Sequence, residues 1–209
     1  MRTLKLILLF FLITLYSCSQ KKYYSKVNAQ VVRLSNKIIP LVNFLDNPDS
    51  SKQALLFLDS ATTIDNNCYL CYYNKLMFLY PLKKFDKAIE TISECIRLNP
   101  SGYDLYLTGG ILYEKIGDTV RSNKYFFKSL TMCNSVLDTM NSSNGNFDLL
   151  VINKALNLIM LSEDKEGNVL LQKLCDKQTD STLQKLIFSV MKKSKKYLVE
   201  SMTKSQHSL

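Results

Sequence analysis

Six cysteines and a single histidine are the side chains of this 209-residue chain best suited to chemistry. His207 is the third residue from the C-terminus, where chain ends commonly fray. Histidine-activated nucleophiles and histidine metal sites need a well-placed imidazole, so the sequence argues against both. There is also no glycine-rich phosphate loop. We therefore expect a protein that is not an enzyme, has no metal site and uses no cofactor.

Five of the cysteines follow the N-terminal region, and this odd number leaves at least one unpaired within a monomer. They are Cys68, Cys71, Cys95, Cys133 and Cys175. Cys68 and Cys71 form a Cys-x-x-Cys motif, which is typical of redox-active pairs when a helix follows a strand. Here the motif precedes a helix in a chain with no strand pattern. Small buried packing residues are the other interpretation, since cysteine is among the most buried residue types.

The sixth cysteine, Cys18, follows a short apolar segment. Arg2 and Lys5 precede an apolar run over residues 6–15, which is shorter than the roughly 20 residues that a bilayer span needs. A basic start, a short apolar run and a small residue before the cleavage point are typical of a bacterial secretory signal. We expect residues 1–17 to be removed as a signal peptide.

The end of this segment, Leu15-Tyr16-Ser17-Cys18, resembles the lipobox of bacterial lipoproteins. The resemblance implies that Cys18 becomes the N-terminus and carries acyl chains such as palmitate, with residues 18–24 as a lipidated tether. Two chains already suffice for stable anchoring. Ser19 rather than Asp follows, which in such lipoproteins favours the outer membrane, and we expect the protein to face the periplasm. An ordinary signal peptide with an incidental cysteine is the alternative.

Small residues recur through the middle of the chain at a spacing of 34 residues. Two series share this spacing without a gap: Ala54, Ala88 and Ser122, and Ala61, Cys95 and Ser129. Small side chains are needed where two helices cross closely, because a larger side chain would clash there. Sparse glycine and proline, together with long apolar periodicity, indicate an all-helical protein.

A period of 34 residues is that of tetratricopeptide repeats. The segments Phe85-Asp86-Lys87-Ala88-Ile89 and Leu98-Asn99-Pro100 closely resemble the second helix and exit turn of this family. The chain thus resembles a bacterial tetratricopeptide-repeat (TPR) lipoprotein. The resemblance implies an all-α, TPR-type helical solenoid of about three to four helix pairs with a C-terminal capping helix.

The expected organisation follows from the repeat. Three TPR-like repeats are expected over residues 25–136, with either a kink or two shorter helices at Pro40, because proline removes a helical hydrogen bond. A helix extension, a loop and a degenerate fourth repeat are expected over residues 137–181. There, Ala155 and Gly167 supply small residues for another close crossing. A C-terminal amphipathic capping helix and a tail are expected over residues 182–209, since a solenoid must cover its last stacking face.

Capping residues predict where three helices begin. Ser50-x-x-Gln53 and Ser101-x-x-Asp104 have the pattern of capping boxes, in which side chains satisfy the first backbone N–H groups. Asp118 follows Gly117 and is expected to cap the next helix in the same way.

The resemblance also implies a concave groove, lined by positions 2, 5, 9 and 12 of each first helix. Carried onto this chain, the expected partner-binding residues are Tyr73, Met77, Tyr80, Leu107 and Ile111. The remaining groove positions are Asn36, Ile39, Asn43, Asp46, Leu70, Asp104, Glu114, Leu149, Ile152, Leu156 and Ile159. The fourth row, which starts at Leu149, is entirely apolar. We expect the lead segment or the last helix to cover it, since monomers rarely expose such patches.

The helix pairing also places two cysteines at one level. In an antiparallel pair, Cys71 near the start of one helix lies beside Cys95 near the end of the next. A Cys71–Cys95 disulfide is therefore the hypothesis for an oxidising periplasm.

Charge and export narrow the class of partner. The chain has 27 basic and 18 acidic residues, a net charge of +9, which suits nucleic acid, anionic lipid or an acidic protein. The export signal argues against nucleic acid. We expect a membrane-anchored adaptor or scaffold that binds another envelope protein or peptide and has no small-molecule substrate. The alternatives are an immunity or inhibitor lipoprotein that neutralises a secreted toxin, and a lipid-contact role for the basic last helix.

Overall fold

The computed structural model describes residues 28–203, and within this range the chain forms helices and no strand. Cys18, the signal segment and His207 lie outside the described residues. The chain divides into two compact units. The N-terminal unit comprises described residues 28–100 together with Thr203, and the C-terminal unit comprises residues 101–202.

The N-terminal unit is a run of helices in which the α-helices pack on one another in sequence order. Its elements are α1 Ala29–Asn36, the 3-10 helix Ile39–Phe44, α2 Pro48–Ile64, α3 Tyr69–Leu79 and α4 Phe85–Leu98. Pro40 lies at the start of the 3-10 helix. The apolar stripe is therefore interrupted where the sequence predicts, because proline cannot donate the hydrogen bond that would continue α1.

Helix α2 begins at a different cap from the one predicted. Asn47 accepts hydrogen bonds from the backbone N–H groups of Asp49 and Ser50, at 2.9 and 3.3 Å. Pro48 then occupies the first helical turn, where its missing N–H costs nothing. The capping box predicted at Ser50 is wrong, because Asn47 has already capped the helix three residues earlier.

The described residues of the C-terminal unit form six helices, the last of which ends at Thr203, one residue beyond the unit. They are α5 Tyr103–Lys115, α6 Thr119–Leu137, α7 Phe147–Met160, α8 Asp164–Lys177, α9 Ser181–Val190 and α10 Lys195–Thr203. Asp118 caps α6 as predicted, accepting a hydrogen bond from the N–H of Arg121 at 2.9 Å. The box predicted at Ser101 is wrong, since Gly102 is the N-cap of α5 and makes no side-chain bond.

The small residues that recur every 34 positions lie at helix crossings within each of the two units. All six side chains are completely buried: Ala54, Ala61, Ala88, Cys95, Ser122 and Ser129. Leu58, Leu76 and Ile92 fill the space between the helices of the N-terminal unit and are also without solvent exposure. The spacing in the sequence therefore corresponds to close packing in the structure.

The crossing of α7 and α8 at Gly167, in the C-terminal unit, is tighter still. A Cβ atom at Gly167 would lie 2.7 Å from the carbonyl oxygen of Ala155 and 2.8 Å from Cγ1 of Ile159. Both distances are shorter than real Cβ contacts allow, and one of the two atoms belongs to the backbone. Helix α8 thus approaches α7 at a distance that only glycine permits.

Helix α7 is the central element of the C-terminal unit. Nine of its 14 residues are buried, and it packs against α6 on one side and α8 on the other. A helix that is apolar on nearly all sides has to be surrounded by protein. Its burial therefore requires further cover, which α9 and α10 supply.

The prediction of a single capping helix over residues 182–209 is wrong in one respect, because the described part of this segment is divided between α9 and α10. The backbone turns at Lys192, which has a φ of 59°. The Lys192 N–H donates to the Asn168 side-chain oxygen at 2.6 Å, which attaches this turn to α8. Within residues 28–203, none of the helices has the length and apolar character that crossing a bilayer would require.

We predict that Gly167→Ala lowers the free energy of unfolding. Overpacking of this kind costs about 1–3 kcal/mol, and the better helix propensity of alanine offsets only about 1 kcal/mol of it. Urea denaturation followed by circular dichroism measures the change. Gly145→Ala is the matched control, since a Cβ there meets nothing within 4 Å. Equal stability of the two variants would contradict the close crossing.

Candidate protein-interaction surface

The groove residues predicted in the C-terminal unit are part of its core. Leu107 and Ile111 are both buried, in a cluster that includes residues of α7, α8, α9 and α10. A partner in solution therefore has no access to them in this structure. The prediction that these two residues bind a partner is corrected accordingly, because α9 and α10 pack into the same apolar cluster.

Helices α9 and α10 cover the inner face of this unit, which is the surface that carries its predicted groove residues, with apolar side chains. The contributing residues are Leu186, Ile187, Val190, Leu198 and Val199. The expected self-burial of the fourth groove row agrees with this arrangement, since Ile152, Leu156 and Ile159 have no solvent exposure.

Two ion pairs fix α10 against α5. Lys195 lies 2.9 Å from Glu114, and Lys115 lies 2.7 Å from Glu200. Glu114 also accepts a hydrogen bond from the Ser122 hydroxyl at 2.8 Å. Because these charges are only partly buried, each pair contributes modestly to stability. Their main effect is to orient α10 over the apolar cluster.

The second groove row is only partly available. Tyr73 and Tyr80 are buried and Met77 is half-buried. Burial, with Cys95 nearby, raises the pKa of the Tyr80 phenol above its ordinary value. Tyr73 and Tyr80 therefore act as packing residues here, and this corrects their predicted role as exposed anchors.

A smaller surface remains open on the N-terminal unit, which we call the open face. It consists of Asn36, Ile39, Asn43, Leu70 and Met77. Ile39 is 64% exposed and Leu70 is 41% exposed, and both asparagines are exposed. Met77 lies two helical turns after Leu70, on the same side of α3.

A direct contact joins two of the three elements that carry the open face, α1 and α3. The Ser35 hydroxyl oxygen lies 3.5 Å from the Cys71 sulfur, so the end of α1 is adjacent to the start of α3. Asn36 and Leu70 are the immediate neighbours of this pair. Arg33 and Lys37, both exposed on the α1 side, give this edge a positive charge.

The cysteines pair differently from the prediction. The disulfide joins Cys68 to Cys71, with an S–S distance of 2.04 Å and a Cα–Cα distance of 5.3 Å. Cys95 is buried and takes no part in this bond, so the predicted Cys71–Cys95 disulfide is wrong. Residues three positions apart at the start of a helix lie close together, and this local geometry places Cys68 within disulfide reach of Cys71.

A polar seam joins α5, α6 and α7 in the C-terminal unit. The Ser129 hydroxyl donates to the Tyr103 carbonyl at 2.7 Å and accepts from the Asn157 amide at 2.9 Å. Burial raises the pKa of the nearby Asp104 carboxyl to about 6 and that of the Cys133 thiol to about 12. A thiol held protonated in this way is a poor nucleophile. We therefore assign the seam a structural role, which is to order the three helices.

Comparison with known proteins identifies the fold. The sequence matches no family model and no curated protein. A solved structure of a MamA RS-1 ArsTM double mutant has a TM-score of 0.51 and 15% sequence identity, covering 88% of this chain and 99% of that one. A second, YrrB, is described as a TPR protein with an unusual peptide-binding site. Its TM-score is 0.44 at 16% identity, covering 78% of this chain and 84% of that one.

These likenesses bear on the fold alone, because the sequence identities are low. The fold class predicted from the repeat, all-α and of the TPR helical type, is confirmed. Sequence reasoning missed the local disulfide and the restriction of the open face to the N-terminal unit. The Cys-x-x-Cys spacing was the available signal for the first of these.

We predict that Ile187→Ala and Phe188→Ala have very different effects on stability. Ile187 belongs to α9 and is fully buried, so its truncation leaves a cavity and lowers the free energy of unfolding by about 2–5 kcal/mol. The next residue, Phe188, is 57% exposed, and its truncation changes stability by about 0.5 kcal/mol or less. Chemical denaturation of both variants measures the difference. Similar losses in the two would show that α9 does not cover the inner face as described.

Proposed function

We propose that this chain is a lipid-anchored protein-interaction module of the bacterial cell envelope, which recognises a peptide or helix of another envelope protein. Its mechanism is binding rather than catalysis. The observation that carries the proposal is the open face of the N-terminal unit, where Ile39 in the 3-10 helix and Leu70 in α3 are both exposed.

The chemistry of the open face indicates what it would bind. Ile39 and Leu70 provide apolar contacts of the kind that dominate small interfaces. Asn36 and Asn43 each carry an amide that can both donate and accept hydrogen bonds, which suits the backbone of an extended segment. Arg33 and Lys37 favour a segment that also carries acidic side chains, because complementary charge speeds association and rejects basic competitors.

The extent of the open face limits the strength of binding. In the C-terminal unit the corresponding rows are covered by α9 and α10, so the contact would involve the N-terminal unit. A small interface of this kind is typical of transient complexes. Tethering would compensate in part, because anchoring to one membrane raises the effective concentration of a partner held on the same surface.

The proposed anchor rests on the sequence. Leu15-Tyr16-Ser17-Cys18 resembles a lipobox, and the acyl chains on Cys18 would hold the protein to the outer membrane on its periplasmic side. Residues 18–24 would then connect the lipid to the helical units. Lys21 and Lys22 in this tether would favour an anionic lipid surface.

We predict that the full-length chain in detergent binds an apolar peptide with acidic side chains more tightly than its basic counterpart. Two labelled peptides with identical apolar residues would carry Glu in one case and Lys in the other. The acidic peptide is expected to bind at least about tenfold more tightly, equivalent to about 1.4 kcal/mol, with the preference shrinking at high salt. Fluorescence polarisation measures both affinities.

A matched set of variants locates the binding surface. The double variant Ile39→Ser/Leu70→Ser should lose most of the affinity for the acidic peptide. Leu56→Ser should retain it, because Leu56 is 66% exposed on α2 of the same unit but lies outside the open face. If neither peptide binds, or if all variants bind equally, the assignment of function to the open face fails.

We predict that Cys18 is acylated in a bacterial host. Incorporation of a labelled palmitate analogue, with mass spectrometry of the N-terminal peptide, measures the modification. Cys18→Ser should abolish labelling and release the protein from the membrane fraction, whereas Cys175→Ser should change neither, because Cys175 is a buried residue of α8. Persistence of the membrane-bound form in the Cys18 variant would contradict the lipid anchor.

A further inference from the structure

The disulfide at the start of α3 joins two sulfurs in different surroundings. Cys68 is the N-cap residue of the helix and is half-buried, whereas Cys71, in the first turn, has no solvent exposure. An approaching thiolate therefore meets Cys68 as the more accessible residue of the pair, because Cys71 is fully buried. Thiol–disulfide exchange depends on which sulfur can be attacked. This asymmetry favours attack at Cys68, with Cys71 as the leaving group.

The structure also provides for negative charge on the accessible sulfur. The Cys71 backbone N–H donates to the Cys68 sulfur at 3.3 Å. Cys68 lies at the N-terminus of an 11-residue helix, where the unsatisfied N–H groups and the helix dipole favour an anion. Cysteines in such positions are the more reactive ones, because the thiolate is the reacting species.

The buried sulfur has a polar neighbour of its own. The Ser35 hydroxyl lies 3.5 Å from the Cys71 sulfur. Because a disulfide sulfur carries no proton, the hydroxyl is the donor in this contact. The same hydroxyl can stabilise Cys71 as it leaves as a thiolate, which lowers the cost of breaking the bond from the Cys68 side.

The bond contributes little to holding the fold together. It closes a loop with only two residues between the cysteines, and the entropic effect of a disulfide is smallest for the shortest loops. The segment is already ordered by helical hydrogen bonds, since the N–H groups of Cys71 and Tyr72 both bond to the Cys68 carbonyl, at 3.1 and 3.3 Å. A structural crosslink would gain more from joining separate helices.

We propose that Cys68 and Cys71 form a redox-active pair that exchanges with a dithiol of a partner protein. A partner thiolate attacks the Cys68 sulfur, the Cys68–Cys71 bond breaks, and Cys71 leaves as a thiolate that takes up a proton. The partner's second thiolate then attacks the partner's first sulfur, which is bonded to Cys68 in the mixed disulfide. Cys68 is released as a thiolate. Two electrons pass from the partner dithiol to this chain, and the partner ends as a disulfide.

The reverse reaction uses the same residues. Reduced Cys68 attacks a partner disulfide, and Cys71 then resolves the mixed disulfide by attacking Cys68. Leu70, which is exposed between the two cysteines in the sequence, would supply an apolar contact for the exchanging protein beside the accessible sulfur.

Single-cysteine variants of the full-length chain test the proposal. The Cys71→Ser variant keeps only the accessible thiol of the pair, and the Cys68→Ser variant keeps only the buried one. Each would be treated with 5,5′-dithiobis(2-nitrobenzoate), whose aryl disulfide reports attack by releasing a coloured thiolate. We expect Cys68 in the first variant to react at least about 100-fold faster than Cys71 in the second, with peptide mass spectrometry assigning the modified residue.

A measurement on the unsubstituted chain covers the case in which a variant fails to fold. Dithiothreitol in native buffer should reduce the Cys68–Cys71 bond while circular dichroism stays unchanged, and Cys95→Ser should behave in the same way. Equal rates for the two single-cysteine variants would overturn the proposal. So would a disulfide that resists dithiothreitol until a denaturant unfolds the chain.

Discussion

The close approach of paired helices is the constraint on which the rest of this structure depends. Small side chains at Ala54, Ala88 and Ser122 let the second helix of each hairpin lie close to its neighbours. Gly167 carries the same requirement to its limit, because even one methyl group there would collide with the Ala155 carbonyl. Once these distances are set, larger side chains such as Leu58 and Ile92 fill the remaining space at the density of a protein interior.

The two units differ in whether their predicted groove residues are covered by other helices. In the C-terminal unit, α7 is so apolar that it needs cover on nearly every side, and α9 and α10 provide it. The N-terminal unit retains an open face in which Ile39 and Leu70 are exposed. The proposed recognition surface therefore lies on the N-terminal unit, while the groove residues Leu107 and Ile111 of the C-terminal unit are buried in its own core.

The proposed thiol–disulfide exchange lies beside this open face. Cys68 and Cys71 begin α3, and Ser35 links the Cys71 sulfur to the end of α1. The thiol of Cys133, by contrast, lies in a buried seam that raises its pKa to about 12. Among these cysteines, reactivity is thus set by access and by the helix N-terminus.

The sequence was sufficient for the helix pairs, the break at Pro40 and the small residues at the crossings, because all of these follow from spacing along one chain. It predicted the Asp118 cap correctly but missed Asn47, since several polar residues before α2 compete for one set of N–H groups and only the backbone path selects among them. Local proximity paired Cys68 with Cys71, although helix pairing had favoured Cys95. Exposure was the least predictable property. Leu107 and Ile111 lost access to solvent because of α9 and α10, and burial of this kind is a relation between residues far apart in the sequence that forms when the chain folds.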